Sequence, residues 1–215
     1  MVKLKYQTGL SRLINIIGLP ETMQKQLKRC DWVKADPLYL HYHDYEWGRV
    51  QKDGQKLFEK ICLEGQQAGL SWITVLKKRD EYRRCFYNFN PHKIITITDI
   101  KPFLQNPGLI RHPGKLQAII HNAHAYLTMQ QHGEDFANFI WSFVNHQPII
   151  NHYKFLAEVP AQTKISAAMS KALKKRGFSF VGPTTCYAFM QSMGLVNDHL
   201  ASCFLCRELK NNQPK

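Results

Sequence analysis

Apolar positions recur at helical spacing along most of the chain. The clearest run is Pro113–Gln131, where Leu116, Ile119, Ile120, Ala123 and Leu127 share one face, Pro113 stands near the start and Gly133 lies past the end. Gln55–Leu63 predicts a helix with Leu57, Phe58, Ile61 and Cys62 inward, interrupted by Glu64-Gly65-Gln66-Gln67-Ala68-Gly69. Ser71, a good N-cap residue, opens the next helix, which runs through Lys77; Asp80–Phe86 continues helical. Thr98–Leu104 is a short helix, and Glu134–Val144 is apolar almost all round, which predicts a buried one. Ser166–Arg176 and Pro183–Met193 complete the set, the last stopped by Gly194. Lys93–Thr98 alone looks like a strand, and one strand makes no sheet. The pattern predicts an all-α protein of about eight helices.

Leu10, Leu13, Ile14 and Ile17 form a further helix face that Gly18 and Pro20 stop. Two readings fit residues 1–27: a small added helix, or a start placed too early, since Met23 lies just before the body. The body spans 28–210, and 211–215 read as a disordered tail.

Charge adds a partner class. The 215 residues carry 29 Lys and Arg against 16 Asp and Glu, a formal net charge of +13. The first 29 hold six of the basic side chains and one of the acidic ones, so the body is itself strongly basic. Such a surface suits a polyanion, nucleic acid above all, although solubility alone would also account for it. No apolar run is long enough to span a membrane, and no cleavage site follows the basic N-terminus. The six Cys therefore point to a reducing compartment, the cytoplasm, where Cys is buried, catalytic or metal-bound more often than disulfide-paired.

Three constellations carry chemistry. His199 and Cys203, four apart, would share a helix face and reach one ion; Cys30 and His43 lie at the other end of the body. Together they would make a closed structural zinc shell, but spacing alone equally allows core thiols and surface histidines. Gly177–Gly182 separates a basic helix from one opening at Pro183. It reads either as a plain connection or as a hairpin whose outward N–H groups hold a DNA phosphate. Glu64 sits among aromatic residues and Trp72 follows it. That pairing suggests a pocket for something flat and cationic, against a carboxylate that merely caps a helix or pairs with a Lys.

Longer runs decide between these readings. They include Cys30-x-Trp32-Val33, Asp36-Pro37-Leu38-Tyr39, Tyr42-His43-Asp44-x-Glu46-Trp47-Gly48 and Leu57-Phe58-Glu59. The unbroken stretch Ile61–Arg79, Trp141–Pro148, Ala172–Phe178 and Gly194–His199 follow. Over residues 28–206 the chain resembles the bacterial 3-methyladenine DNA glycosylase I family, within the helix-hairpin-helix glycosylase superfamily. The resemblance implies one structural zinc on Cys30, His43, His199 and Cys203, joining the two ends of the body. It also implies a base pocket in which Glu64 and Tyr42 hydrogen-bond, Trp72 stacks, and Trp32, Tyr39 and Trp47 complete the walls. DNA would be met by the bend of Gln67, Ala68, Gly69 and Leu70, with Leu70 the plug, and by Arg176, Gly177, Gly182 and Thr184 at the hairpin.

The expected activity is hydrolytic excision of 3-methyladenine, and of 3-methylguanine if the pocket admits it, from alkylated duplex DNA by a monomer with no small-molecule cofactor. Superfamily members that steady the sugar cation with an Asp have it at a position that falls here on Ser202; Asp198, beside a presumed ligand, reads as structural. Members that also cut the strand use a Lys where this chain has Thr184, which predicts an intact abasic site. Two competing readings are a zinc-stapled module that binds damage without cutting, and an enzyme acting on a small cationic metabolite.

Overall fold

The computed structural model describes residues 27–206. Residues 1–26 and 207–215, which hold the N-terminal helix face and the tail, lie outside that range. Among the described residues the architecture is helical: α1 (Pro37–Tyr45), α2 (Gly54–Gln67), α3 (Trp72–Leu76), α4 (Arg79–Cys85), α5 (Pro91–Ile94), α6 (Lys101–Leu104), α7 (Pro113–Gln131), α8 (Phe136–Ser142), α9 (Lys164–Lys175) and α10 (Pro183–Ser192). No helix among these residues is long and apolar enough to cross a membrane.

α2 is the axis of the molecule. Leu57, Phe58, Ile61 and Leu63 are essentially inaccessible, and α7, α10, α3 and α8 pack on it. Each such side chain contributes about 1.5–3 kcal/mol on full burial. Asp53 starts α2 by accepting from the Lys56 N–H at 2.8 Å. The interruption expected at Glu64 does not occur: the helix continues to Gln67. Gly65 is needed there for packing rather than for a bend, because a Cβ would stand 3.1 Å from the Phe180 carbonyl oxygen and Cβ. The helix ends on a cap borrowed from α7. Lys115 Nζ donates to the carbonyls of Gln66 (2.9 Å) and Ala68 (2.6 Å), and Gln66 Nε2 donates back to Lys115 O at 2.9 Å.

Other boundaries shift for local reasons. Lys93–Thr98 is no strand: Asn90 caps Pro91–Ile94 through the Lys93 N–H, with Pro91 in the first turn. The helix expected over Thr98–Leu104 starts only at Lys101. α8 is shorter than Glu134–Val144 and exposes Asn138 and Ser142, so it is buried on one side only. The fold is mostly rather than wholly helical, since Ile149–Ile150 (β1) pairs in parallel with Val196–Asn197 (β2). That pairing brings the chain after α10 back beside the 149–153 segment. There the Ala201 N–H donates to Tyr153 O at 2.8 Å.

Candidate functional site

One cleft gathers all six residues of the expected base pocket. α1 supplies Tyr39 and Tyr42, its flanks Trp32 and Trp47, α2 Glu64 and α3 Trp72, around a cavity of about 300 Å³. The aromatic walls are interlocked: Trp32 lies 5.2 Å from Tyr39 and 5.0 Å from Trp47, and Tyr42 lies 5.4 Å from Trp72, centroid to centroid. Such spacings fix ring orientation as well as bury area. Gln67 and Thr184, expected to face DNA, line the same cavity. Its volume is at the small end for ligand pockets and suits a small planar molecule.

At the base of the cleft Glu64 is 4% exposed and does not stand alone. Lys60, one turn earlier on α2 and 6% exposed, places Nζ 3.0 Å from Glu64 Oε1 and donates to Tyr42 Oη at 2.7 Å. The same ammonium lies 3.4 Å from the Trp72 ring centroid and 4.7 Å from that of Tyr42. Burial pushes the Glu64 carboxyl up against the pull of Lys60 and the Ser192 hydroxyl. Burial brings Lys60 down to about 8, against the attraction of Glu64. Glu64 thus lines the cavity and also pairs with a lysine, as one of the two readings expects.

A second carboxylate, Asp198, also lines the cavity. It accepts from Tyr187 Oη (2.6 Å), Gln191 Nε2 (2.8 Å) and Asn151 Nδ2 (2.7 Å), which anchors the end of β2 to α10 and to the segment after β1. Ser202, in contrast, is exposed on the 200–203 turn and outside the cavity lining, so no pocket carboxylate comes from that position. Sequence reasoning also missed the outer wall, Leu156 and Val159–Ala161, whose 3-10 turn carries no helical or strand periodicity.

Behind the aromatic wall the four presumed ligands converge. The donor atoms of Cys30, His43, His199 and Cys203 all lie within 4.8 Å of one another, and every residue is buried. Cys30 Sγ is 3.5 Å from His199 Nδ1, and Cys203 Sγ is 3.6 Å from both His43 Nε2 and His199 Nδ1. A tetrahedron with ordinary zinc–sulfur and zinc–nitrogen bonds has S···N edges of about 3.6 Å. The donor set therefore fits the ion. Its charges agree: Cys30 and the two histidine rings pull the Cys203 thiol well down, while Cys203 and burial push Cys30 up. A divalent cation held by the four donors would stabilise both thiolates. The shell around the donors is in place. Asp44 Oδ1 is 2.8 Å from His43 Nδ1, and Asp44 in turn receives both ends of the Arg29 fork. His199 and Cys203 do not share a helix as expected; they flank the 200–203 turn, which brings them together equally well. Cys206 is buried but contributes no atom to the cluster. Gly48, at φ +75°, passes so close that a Cβ would lie 2.8 Å from His199 Nε2.

Two projections flank the pocket. The bend after α2 turns at Gly69 (φ +75°) and leaves Leu70 41% exposed. The 177–182 hairpin joins α9 to α10, but only Gly177 uses a glycine's freedom (φ +90°); Gly182 is extended, and Phe180 takes the second positive φ. One of its expected outward donors is occupied, since Ser179 N–H donates to Asn122 Oδ1 at 2.7 Å. Arg176 is engaged as well, donating to Glu134 and lying 4.2 Å over the Phe139 ring.

These features define a helical protein with an aromatic, carboxylate-bearing pocket and a four-donor Cys/His cluster directly behind it. The methyladenine glycosylase family model matches residues 32–206. A DNA-3-methyladenine glycosylase of Haemophilus influenzae is 63% identical over 177 residues, covering 81% of this chain and 96% of that protein. A crystal structure of 3-methyladenine DNA glycosylase I superposes with a TM-score of 0.81 at 60% identity, covering 82% of this chain and 98% of the other. The enzyme from Staphylococcus aureus, whose structure describes 3-methyladenine recognition, gives 0.80 at 38% identity, covering 83% and 96%. The chain belongs to the methyladenine glycosylase family.

Proposed function

We propose that this protein is a DNA repair enzyme that hydrolyses the N-glycosyl bond of 3-methyladenine in alkylated duplex DNA. The observation that carries this is a buried carboxylate, Glu64, at the base of a cavity walled by Tyr42, Trp72, Trp32, Tyr39 and Trp47. Alkylation at N3 gives the attached adenine a positive charge and a weakened glycosidic bond. The protein must therefore extrude the base and hold it while water attacks C1′, with no strong general acid to supply. Leu70 fills the gap left in the stack, on a bend that Lys115 ties to α7. Trp72 and its neighbours hold the base by its faces, and Tyr42 and Glu64 by its edge.

α9, the 177–182 turn and α10 form a helix-hairpin-helix unit whose free backbone donors near Gly182 and Thr184 hold a phosphate. With Thr184 rather than an amine beside the site, the product is an intact abasic site. Cys30, His43, His199 and Cys203 would hold one zinc ion, which would supply a covalent-strength tie between the two ends of the body and no chemistry at C1′.

Incubation with methylated duplex DNA tests the reading: free 3-methyladenine is released and borohydride traps no protein–DNA adduct. Binding of damaged DNA without base release would instead support a recognition module, and a trapped adduct would contradict the monofunctional assignment.

A further inference from the structure

Lys60 is a buried charge against the pocket wall that the proposed reaction does not use. Its ammonium already makes the contacts that a flat cation would seek here: the Glu64 carboxylate at 3.0 Å, the Trp72 face at 3.4 Å and the Tyr42 face at 4.7 Å. It does so from the far side. Tyr42 and Trp72 also wall a second cavity of about 310 Å³, and Lys60 lines that one, not the first. A cationic base in the front pocket and the ammonium behind would therefore share one carboxylate across a single layer of rings. Two positive charges so placed repel at a buried site. One has a way out, because the rear cavity is lined by polar side chains and Lys60 faces it.

We propose that Lys60 is the resident counter-cation of the pocket, balancing Glu64 while the pocket is empty and releasing a proton through the rear cavity when a cationic base takes over that charge. The inference rests on the glycosylase reading for its substrate. The ledger balances. Lys60-NH₃⁺ gives its proton to solvent as the cationic base binds. Cleavage sends the glycosidic electron pair to the base, which leaves neutral, and water adds to C1′ with loss of one proton. Lys60 regains a proton as the neutral base departs. Overall, water and the cationic nucleotide give an abasic site, neutral base and one proton.

The surroundings favour Lys60 as the group that yields. Glu64 on its own helix and Tyr42 on α1 face it directly. Glu46, after α1, and Arg79 on α4 act on it from further off and neutralise each other in a bidentate pair. Across the rear cavity Glu59 is tied to Arg83 at 2.8 Å, with Lys56 and Arg49 as further cations. Burial has brought Lys60 down to about 8, close enough to neutrality for one added positive charge to displace its proton.

The test compares two ligands of nearly equal shape: 3,9-dimethyladeninium, a permanent cation, and neutral 3-methyladenine. Calorimetry on the full chain, in buffers of different ionisation enthalpy, should show proton release with the cation and none with the neutral base. Affinity for the cation should rise about tenfold between pH 7 and 9, while that for 3-methyladenine stays flat. In Lys60→Met, checked for folding by circular dichroism, both should be flat and proton release should vanish. Equal pH dependence for the two ligands, or no proton release by the unmodified protein, overturns the proposal without needing the variant to fold. Failure to release base from methylated DNA would overturn the glycosylase reading instead, and the calorimetric result distinguishes the two.

Discussion

Two buried polar clusters lie back to back in this molecule, separated by Trp32 and Trp47, and they are balanced differently. In the pocket, Glu64 meets a cation of the chain itself, Lys60, one helical turn away. In the cluster behind, two buried thiols and two buried imidazoles meet, a donor set that fits one structural zinc ion. The Trp47 ring touches the His199 ring at 4.6 Å, so each cluster stiffens the wall of the other. The difference teaches which group each site needs from outside. A cluster that closes its own charge can exchange one cation for another, as a pocket must. Under the proposed function the Cys/His cluster would instead hold one permanent ion and serve architecture.

The largest effect should come from breaking the Cys/His cluster. Cys203→Ala removes one of four donors and opens the closed shell, which should cost about 3–5 kcal/mol, the range for uncompensated buried groups. Thermal unfolding should fall by about 8–15 °C for a chain of this length, and a strong chelator should lower the unmodified protein towards the same value. Equal melting of chelated and untreated protein would show that the cluster holds no ion.

A smaller effect sharpens the balanced side. Lys60 has a folded value near 8 against an ordinary 10.5. The folded state therefore binds fewer protons than the unfolded chain between these limits, and stability rises with pH across that window. The gain is complete above 10.5 and lost as pH falls through 8, about 3 kcal/mol at most. Denaturant unfolding at pH 7.5 and 10 should show this gain in the unmodified protein relative to Lys60→Met. Parallel behaviour of the two proteins would mean that Lys60 pays no burial penalty.

Parts of this arrangement were legible in the sequence and parts were not. α7 has the predicted limits because His112 caps it, Pro113 stands in its first turn and its apolar face packs on α2. The Glu64–Gly69 stretch looked like a break because glycines in polar surroundings usually end helices; here tertiary contact with Phe180 explains Gly65, and the helix runs on. The pocket residues stand far apart in sequence, so spacing alone did not assemble them; resemblance to a family did. Lys60 escaped notice because a lysine on an amphipathic helix is assigned to solvent by default, and only the packing of Tyr42 and Trp72 over it shows that it is buried. His199 and Cys203 were paired correctly for the wrong reason: a turn, not a helix, brings them together. Its sequence neighbour marks Asp198 as structural; its three donors fit that role, and its place in the cavity lining depends on tertiary packing that no local pattern shows.

In the proposed function the buried carboxylate of Glu64 holds the base for excision. Single-turnover release of 3-methyladenine from methylated duplex DNA, measured for the unmodified protein and for Glu64→Gln alongside duplex binding, tests it most directly. Excision should fall by about two orders of magnitude, the scale of losing one charged contact in the transition state, while binding to undamaged duplex is unchanged. Full-rate excision by Glu64→Gln would contradict it.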